Sequence, residues 1–259
     1  GGRLVIRPHA NRTLEHDLVL KGAVWMGMQA DGCPHDLTRH TVDTYISFLV
    51  LHGFNSVRLP LSAYWVNGNG AVGSACGEYS GQPFLTVLDN LLTRLRDAGL
   101  LALLDMHTLS HPESNEGLWC GDASTSCTPA TEAPLFNAWA ALSSRFCASH
   151  PNVLGADLFH EPHAATWGAG PTGTRWDVAA RRLGNLVLSG CARWLIFVQG
   201  VGTESGDAST SCGHHGCWWG ENLQPHAMHP ITLRDPSKLV LSPHVYGHGP
   251  HPYFCDAAF

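Results

Sequence analysis

One glutamate, Glu161, stands at the end of an apolar run in the segment DLFHEPH, residues 157–163. Proline follows it directly, and a proline restricts the backbone of the residue before it. A carboxyl group held in this way can exchange a proton with a bound molecule, and such chemistry commonly needs a second carboxylate in a different environment. The residues that would stand beside Glu161 therefore decide what it can do.

Four further polar side chains occupy comparable positions. Arg58, His107, His244 and Tyr246 each lie at the end of a short apolar segment. Because the carboxyl ends of parallel strands meet at one edge of a sheet, we expect these side chains to gather around Glu161. The sequence therefore predicts a polar site at the carboxyl edge of a parallel sheet.

Short apolar segments alternate with segments of helical periodicity along the chain. Strands that are apolar throughout, with helices between them, are typical of a parallel sheet covered on both faces. The predicted strands are 18–28, 55–62, 100–109, 152–162, 194–202 and 238–247, and the predicted helices are 38–52, 84–99, 131–149 and 174–190.

This order predicts an α/β fold of the (β/α)8 TIM-barrel type in one domain over residues 1–259, since no linker interrupts it. Six strands are predicted, whereas a closed barrel has eight, so we expect the last two strand–helix units to be missing. An open sheet would leave unpaired backbone groups at both edges. We therefore expect a C-terminal continuation, a second chain or a dimer partner to complete the barrel.

The composition excludes several classes of protein. The chain has 259 residues, of which 44% are hydrophobic and 14% charged, so it can bury a sizeable core and is not expected to be disordered. Its net charge is −6 without a basic block, so we expect no nucleic-acid partner. No apolar run reaches the roughly 18 residues of a membrane span. The beginning, GGRLVIRP, shows no signal peptide, as in a mature, processed chain.

The nine cysteines point to an oxidising compartment. Cys120 and Cys127 lie close together in the sequence, as do Cys212 and Cys217, which is typical of short disulfides. Reduced structural thiols are the alternative. The sequon NRT at 11–13 also fits secretion. We predict a secreted protein, and because no cysteine pair has C-x-x-C spacing, we do not expect a zinc site.

Six segments of the chain resemble glycoside hydrolase family 5, and in particular its bacterial-type endo-β-1,4-glucanases. They stand in the family's order and cover nearly the whole chain. The segments are GFNSVRLPLS (53–62), LLDMHT (103–108), NVLGADLFHEPH (152–163), LIFVQGV (195–201), WWGENL (218–223) and LVLSPHVYG (239–247). The resemblance implies a retaining hydrolase of a β-1,4-glucan such as cellulose, with no cofactor.

The resemblance also implies a role for Glu161. Cleavage of a glycosidic bond with retention takes an acid/base and a nucleophile, two carboxylates about 5 Å apart. Glu161 occupies the acid/base position, where burial and a neighbouring negative charge would have to raise its pKa. The family nucleophile ends the seventh strand, which we expect to lie outside this chain. The other glutamates considered, none in a matching motif, are Glu113, Glu116, Glu204 and Glu221.

His160 departs from the family pattern, in which an asparagine precedes the acid/base. That asparagine contacts the 2-hydroxyl of the sugar being cleaved, a contact that strengthens in the transition state. Histidine can still donate a hydrogen bond, but it is bulkier and titrates near neutrality. The replacement could reduce turnover, move the pH optimum or mark a protein that has lost its activity.

The other matched positions carry over from the family. Arg58 would keep the nucleophile ionised and oriented, and Tyr246 would hydrogen-bond to it. His107 and His244 would contact sugar hydroxyls. Gln199, in VQG, stands where a related VEG segment has a non-catalytic acid.

Five tryptophans are candidate platforms for sugar rings, because the apolar face of a pyranose stacks on an aromatic ring. Trp218 and Trp219 match the family segment and are favoured, and the others are Trp65, Trp119 and Trp167.

The 17 histidines, including His214 and His215, lack a clear ligand pattern, so we expect no metal. The alternatives to an endoglucanase are a non-catalytic carbohydrate-binding or structural relative, and an enzyme acting on mannan or another β-glycan.

Overall fold

A parallel sheet of six strands forms the centre of the protein. The computed structural model describes residues 4–6, 16–114, 116–122, 126–202 and 217–246. Two short antiparallel strands, β1 (Val5–Ile6) and β2 (His16–Asp17), precede the sheet. The sheet strands follow one another in sequence order, each parallel to the next: β3 (Gly22–Val24), β4 (Ser56–Ser62), β5 (Leu101–Thr108), β6 (Val153–Asp157), β7 (Leu195–Val198) and β8 (Leu239–Leu241).

Five α-helices lie between these strands in the part of the chain that the structure describes. Four of them match the predicted helices, and a further short helix follows β4 directly. α3 shows why they form, because its apolar residues recur every three or four positions and are buried on one face. Gly99 follows it with a φ of 77°, a left-handed conformation that suits glycine and ends the helix. The helices are α1 (Val42–Leu51), α2 (Ala63–Gly68), α3 (Phe84–Asp97), α4 (Pro129–Phe146) and α5 (Trp176–Gly190).

The predicted parallel α/β arrangement with six barrel strands is confirmed. The boundaries differ at both ends of the sheet, where the predicted strands 18–28 and 238–247 contain only three strand residues each. Both are edge strands with a single partner among the described residues, so less of their length is held by pairing. What completes the barrel stays a prediction.

Three disulfides tie the loops and helix ends of the described residues. The predicted pairing of Cys120 with Cys127 is confirmed, while Cys212 lies outside the described residues. The other two bridges, Cys33–Cys76 and Cys147–Cys191, join cysteines 43 and 44 positions apart. Cys147–Cys191 connects the carboxyl ends of α4 and α5.

None of the described helices is both long enough and apolar enough to cross a membrane. The sequon at 11–13 lies outside the described residues.

The close approach of β6 to β7 depends on Gly155, and we predict that Gly155→Ala destabilises the sheet. An added methyl group would collide with the carbonyl group of Leu195 on the neighbouring strand. Relieving the clash requires a backbone shift, so we expect the free energy of unfolding to fall by about 2 kcal/mol or more in urea titrations. Gly68→Ala is the matched control, because no atom lies within 4 Å of its added methyl. Equal stability of the two variants would contradict the prediction.

Candidate active site

Glu161 is held in an unusual backbone conformation just beyond the carboxyl end of β6. Its φ is 44°, in the left-handed region that residues other than glycine seldom adopt, and it is buried. Such a conformation costs energy and persists only where the surroundings enforce it. Here the N–H group of Glu161 donates a hydrogen bond of 2.8 Å to Oε1 of Gln199.

A buried cluster of charges lies beneath this residue. The guanidinium group of Arg58, on β4, contacts Asp105 Oδ1 on β5 and Asp157 Oδ2 on β6, each at 3.0 Å from the same terminal nitrogen. Nε of Arg58 also donates to Asp157 at 3.0 Å. Both aspartates are almost wholly buried, so each needs this partner to remain charged. The cluster therefore joins three neighbouring strands at one level of the sheet.

The two aspartates of the cluster differ in proton affinity. Burial acts to raise the pKa of Asp105, but Arg58 and His107 outweigh it and hold that pKa at about 2. Burial raises the pKa of Asp157, and the negative charge of Asp105 adds to this rise against the effect of Arg58. Burial opposes the charge of Arg58, but the two aspartates keep its pKa above the ordinary value.

Gln199 links the charge cluster to Glu161. Its side-chain amide nitrogen donates to both carboxylate oxygens of Asp157, each at 2.9 Å, while its amide oxygen accepts from the N–H of Glu161. The residue is fully buried at the end of β7. In the sequence, Gln199 was notable only because it replaces an acid of the related VEG segment. In the structure, Gln199 is the group that holds the backbone of Glu161.

The carboxylate of Glu161 accepts hydrogen bonds from two residues that follow β8. His244 Nδ1 lies 2.8 Å from Oε1, and the hydroxyl of Tyr246 donates to the same oxygen. Burial acts to raise the pKa of Glu161, but the hydrogen bond from His244, the nearby His160 and the contact with Tyr246 lower it below the ordinary value. The expectation of a raised pKa is therefore wrong for the described residues, because donors rather than an anion stabilise this carboxylate.

The rings of His107 and His160 stack on each other beside Glu161. Their centroids are 3.7 Å apart and their planes differ by 17°. Nδ1 of His107 lies 2.7 Å from Asp105 Oδ2, and Nδ1 of His160 lies 3.4 Å from the guanidinium group of Arg58. Burial, together with Arg58 and the neighbouring His107, lowers the pKa of His160 to about 3, so its ring is neutral.

A cavity of about 300 Å³ opens over these groups. His107, His160, Glu161 and Trp219 line it, so the structure brings these predicted site residues to one surface. Trp219 stacks on His163, with ring centroids 3.8 Å apart, and this histidine also lines the cavity. No pattern in the sequence pointed to His163, although it lies two residues beyond Glu161.

The tryptophan predictions have different outcomes. Trp218 stacks on Trp219 at 5.6 Å and stands edge-on to Tyr246, so it extends the aromatic wall beside the cavity. Trp119 and Trp167 cannot serve as sugar platforms, because both are buried and their indole N–H groups bond to Glu132 and to the carbonyl of His229. Trp65 is half-buried and bonds to the carbonyl of Ala30.

Two of the other glutamates line the same cavity as Glu161. Glu113 stands at its wall, and Glu116 accepts hydrogen bonds from the backbone of Leu109 and from two serine hydroxyls through one carboxylate oxygen. Glu221 accepts from the backbone N–H of Trp218, and Glu204 lies outside the described residues. Spacing along the chain could not reveal that Glu113 and Glu116 share this cavity.

Among the described residues, two overlapping sets of side chains at this edge have atoms suited to a metal ion within 4.8 Å of one another. They are Asp105, His107 and His160, and His160, Glu161 and His244. The expectation that the protein uses no metal stays a prediction. His214 and His215 lie outside the described residues.

Comparison with known proteins agrees with this geometry. A model of the family named cellulase (glycosyl hydrolase family 5) matches residues 20–255. An endoglucanase of Paenibacillus polymyxa is 32% identical over 253 residues, which cover 94% of this chain and 60% of that protein. The major extracellular endoglucanase of Xanthomonas campestris pv. campestris is 37% identical over 206 residues, covering 75% of this chain and 39% of that protein. The chain thus spans less than two thirds of each of these relatives.

Solved structures of endoglucanases and endocellulases also resemble this chain. The catalytic domain of the major endoglucanase from Xanthomonas campestris pv. campestris has a TM-score of 0.80 and 32% identity, covering 94% of this chain and 67% of that one. An endocellulase from Pyrococcus horikoshii, solved in complex with cellotetraose, has a TM-score of 0.78 and 30% identity, covering 90% of this chain and 65% of that one.

We predict that Gln199→Glu makes stability depend on pH. The introduced carboxyl group can keep both contacts of Gln199 only when it is protonated, because it must donate to Asp157. Its pKa is therefore raised in the folded state, and stability relative to the parent protein falls as pH rises through that value. Urea unfolding at about pH 5 and about pH 8 would show a loss of roughly 1–3 kcal/mol at the higher pH. Gln224→Glu, at an exposed position, is the control, and the same pH dependence in both variants would contradict the prediction.

We also predict that Tyr246→Phe raises the pKa of Glu161. The hydroxyl of Tyr246 donates to the ionised carboxylate, so its loss disfavours that form. Titration of the carboxyl carbon of Glu161 by ¹³C NMR measures the change. Tyr64→Phe, which removes another half-exposed phenol, should leave the pKa of Glu161 where it was. A fall or no change in the Tyr246 variant would show that this contact does not stabilise the carboxylate.

Proposed function

Because the chain belongs to the cellulase family, glycosyl hydrolase family 5, we propose that the protein hydrolyses a β-1,4-glucan such as cellulose with retention of anomeric configuration. The observation that carries the proposal is the position of Glu161, which lines a cavity together with His107, His160 and Trp219.

In this proposal Glu161 protonates the leaving oxygen and later removes a proton from water. It can do this because one of its oxygens is fixed by His244 and Tyr246, while the backbone is fixed by Gln199. His107 and His160 bind hydroxyl groups of the sugar at the cleaved bond, and Trp219, with Trp218 behind it, supports a neighbouring ring by stacking. No cofactor takes part.

The second carboxylate, the nucleophile, is proposed to come from outside the 259 residues, either from a continuation of the chain or from a second chain. Arg58 would keep it ionised, and its charge would act on Glu161 as well. A nearby anion raises the pKa of a carboxyl group, so its approach would bring Glu161 towards the protonated form that a general acid needs. The pKa of Glu161 is lowered among the described residues, which do not include the proposed nucleophile. The negative charge of that nucleophile would act in the opposite direction and raise the pKa.

One observation favours a second candidate, a non-catalytic protein that binds the same polysaccharide. His160 replaces the asparagine of the family pattern. Such a protein would keep the cleft and the aromatic wall and lose turnover. A third candidate, hydrolysis of mannan or another β-glycan, uses the same residues on a different sugar.

Secretion is also part of the proposal. Three disulfides among the described residues require an oxidising compartment in most organisms. The Xanthomonas relative is an extracellular enzyme, and a polymeric substrate such as cellulose is met outside the cell.

We predict that Glu161→Gln lowers the rate at which the complete protein releases reducing sugar from carboxymethyl-cellulose by a factor of about 10² to 10⁴. An aryl β-cellobioside with a good leaving group needs no protonation, so its first step should survive, and added azide should yield the β-cellobiosyl azide. Glu113→Gln and Glu116→Gln are matched controls from the same cavity and should stay active. Loss of azide rescue would contradict the acid/base role, and loss of activity in a control would place the nucleophile inside this chain. Binding of cello-oligosaccharides without turnover by the unsubstituted protein would establish the second candidate.

A further inference from the structure

The carboxylates that line the cavity are not balanced by basic side chains. Glu113, Glu116 and Glu161 line it, whereas no arginine or lysine does so among the described residues. Glu116 accepts hydrogen bonds from the N–H of Leu109 and from two serine hydroxyls, and these neutral donors leave its charge uncancelled. An excess of negative charge therefore faces the cavity.

Arg58, beneath the cavity, does not offset this charge. Its guanidinium group contacts Asp105 and Asp157, each at 3.0 Å. Burial acts to raise the pKa of Asp105, but Arg58 and His107 hold it at about 2, so this aspartate alone balances the charge of the arginine. A nucleophile supplied from outside the chain would add a further carboxylate. Even if its approach makes Glu161 take up a proton, the total negative charge of the site is no smaller.

Histidines are the side chains of the cavity that could carry an opposing charge. They are His107, His160 and His163, and His244 lies beside them with its Nδ1 directed to Glu161 at 2.8 Å. Burial, together with His107 and Arg58, lowers the pKa of His160 to about 3, so that ring stays neutral. An ordinary imidazole is also mostly uncharged above neutral pH, so the carboxylates dominate the cavity there.

We propose that the cavity accepts β-1,4-glucans carrying positively charged amino groups, such as chitosan, as a further class of substrate, and that it disfavours glucans carrying carboxylates. A cleft lined by charges of one sign raises the local concentration of ligands of the opposite sign. The inference rests on the proposed function and deepens it, because the linkage that is hydrolysed is the same. Hydrolysis adds one water molecule across that linkage, so no other reactant is needed.

Glu113 is the carboxylate that can meet an amino group with the least rearrangement. Its side chain is exposed at the wall of the cavity. Glu116 is buried, and one of its oxygens already accepts from three donors. Glu161 has one oxygen held by His244 and Tyr246. Because a pair formed at Glu113 keeps part of its hydration, we expect each unit of charge there to change affinity about threefold.

The kinetic test compares derivatives of one polymer at matched substitution, using the complete protein. They are carboxymethyl-cellulose, neutral hydroxyethyl-cellulose, and hydroxyethyl-cellulose carrying quaternary ammonium groups, whose charge does not depend on pH. At about pH 7.5 and low salt we expect kcat/KM to be about tenfold higher on the cationic polymer than on the anionic one, and the difference to shrink at about 0.5 M salt. Equal or faster hydrolysis of carboxymethyl-cellulose, or a difference that salt does not change, would overturn the proposal.

Variants of Glu113 test whether the charge of the cavity is responsible. Glu113→Gln and then Glu113→Lys should lower the ratio of kcat/KM on the cationic to that on the anionic polymer, by about threefold for each unit of charge. Both should remain active on carboxymethyl-cellulose, because the change removes repulsion. Asp97→Asn removes the same charge from an exposed position at the end of α3, next to the amino end of β5, and should leave the ratio as it was. An unchanged ratio in the lysine variant would contradict selection by the cavity.

The binding test uses calorimetry in a Glu161→Gln background, which prevents turnover. In a mildly acidic buffer that protonates its amines, chitotetraose should bind about threefold to tenfold more tightly than cellotetraose. Equal or weaker binding of chitotetraose would overturn this inference and leave the proposed function standing. Binding of chitotetraose alone would support the charge selection and contradict cellulose as a substrate, and binding of neither would overturn both.

Discussion

The ion cluster formed by Arg58 with Asp105 and Asp157 is the constraint on which the rest of the site depends. Three charges are buried together in the interior, where an unpaired charge would be very costly. Because the three side chains come from adjacent strands, their pairing fixes the relative heights of β4, β5 and β6 at the carboxyl edge. The cluster therefore lies beneath the groups that line the cavity and holds three strands of the sheet in register.

Glu161 and the two stacked histidines, His107 and His160, take their orientation from that cluster. Asp157 holds Gln199, which in turn holds the strained backbone of Glu161, while Asp105 and Arg58 direct the two stacked histidines. A change in any one charge would thus alter several hydrogen bonds at once. Such coupling explains why the unfavourable backbone conformation of Glu161 is maintained. Gln199, which holds it, is itself held by Asp157, and Asp157 is held by Arg58.

The sequence was sufficient for the order of strands and for the gathering of Glu161, Arg58 and the histidines, because apolar strands and their polar ends are local patterns. It did not reveal the partners beneath them. An arginine within an apolar strand requires buried carboxylates, so Asp105 and Asp157 carried a signal that was available in the neighbouring strands. The direction of the pKa shift of Glu161 and the burial of Trp119 could not be predicted in this way. Both depend on which distant residues pack against the group, and spacing along the chain does not encode that.

The two long disulfides have a practical consequence for making the protein. Each closes a loop of more than 40 residues, and in the chain-entropy model a crosslink of that size contributes about 4 kcal/mol by restricting the unfolded chain. Two such crosslinks are comparable with the whole stability of an ordinary domain, about 5–15 kcal/mol. The choice of expression host should therefore decide the yield: a bacterial cytoplasm that keeps thiols reduced would deliver aggregates, and export to the periplasm or oxidative refolding would deliver soluble material.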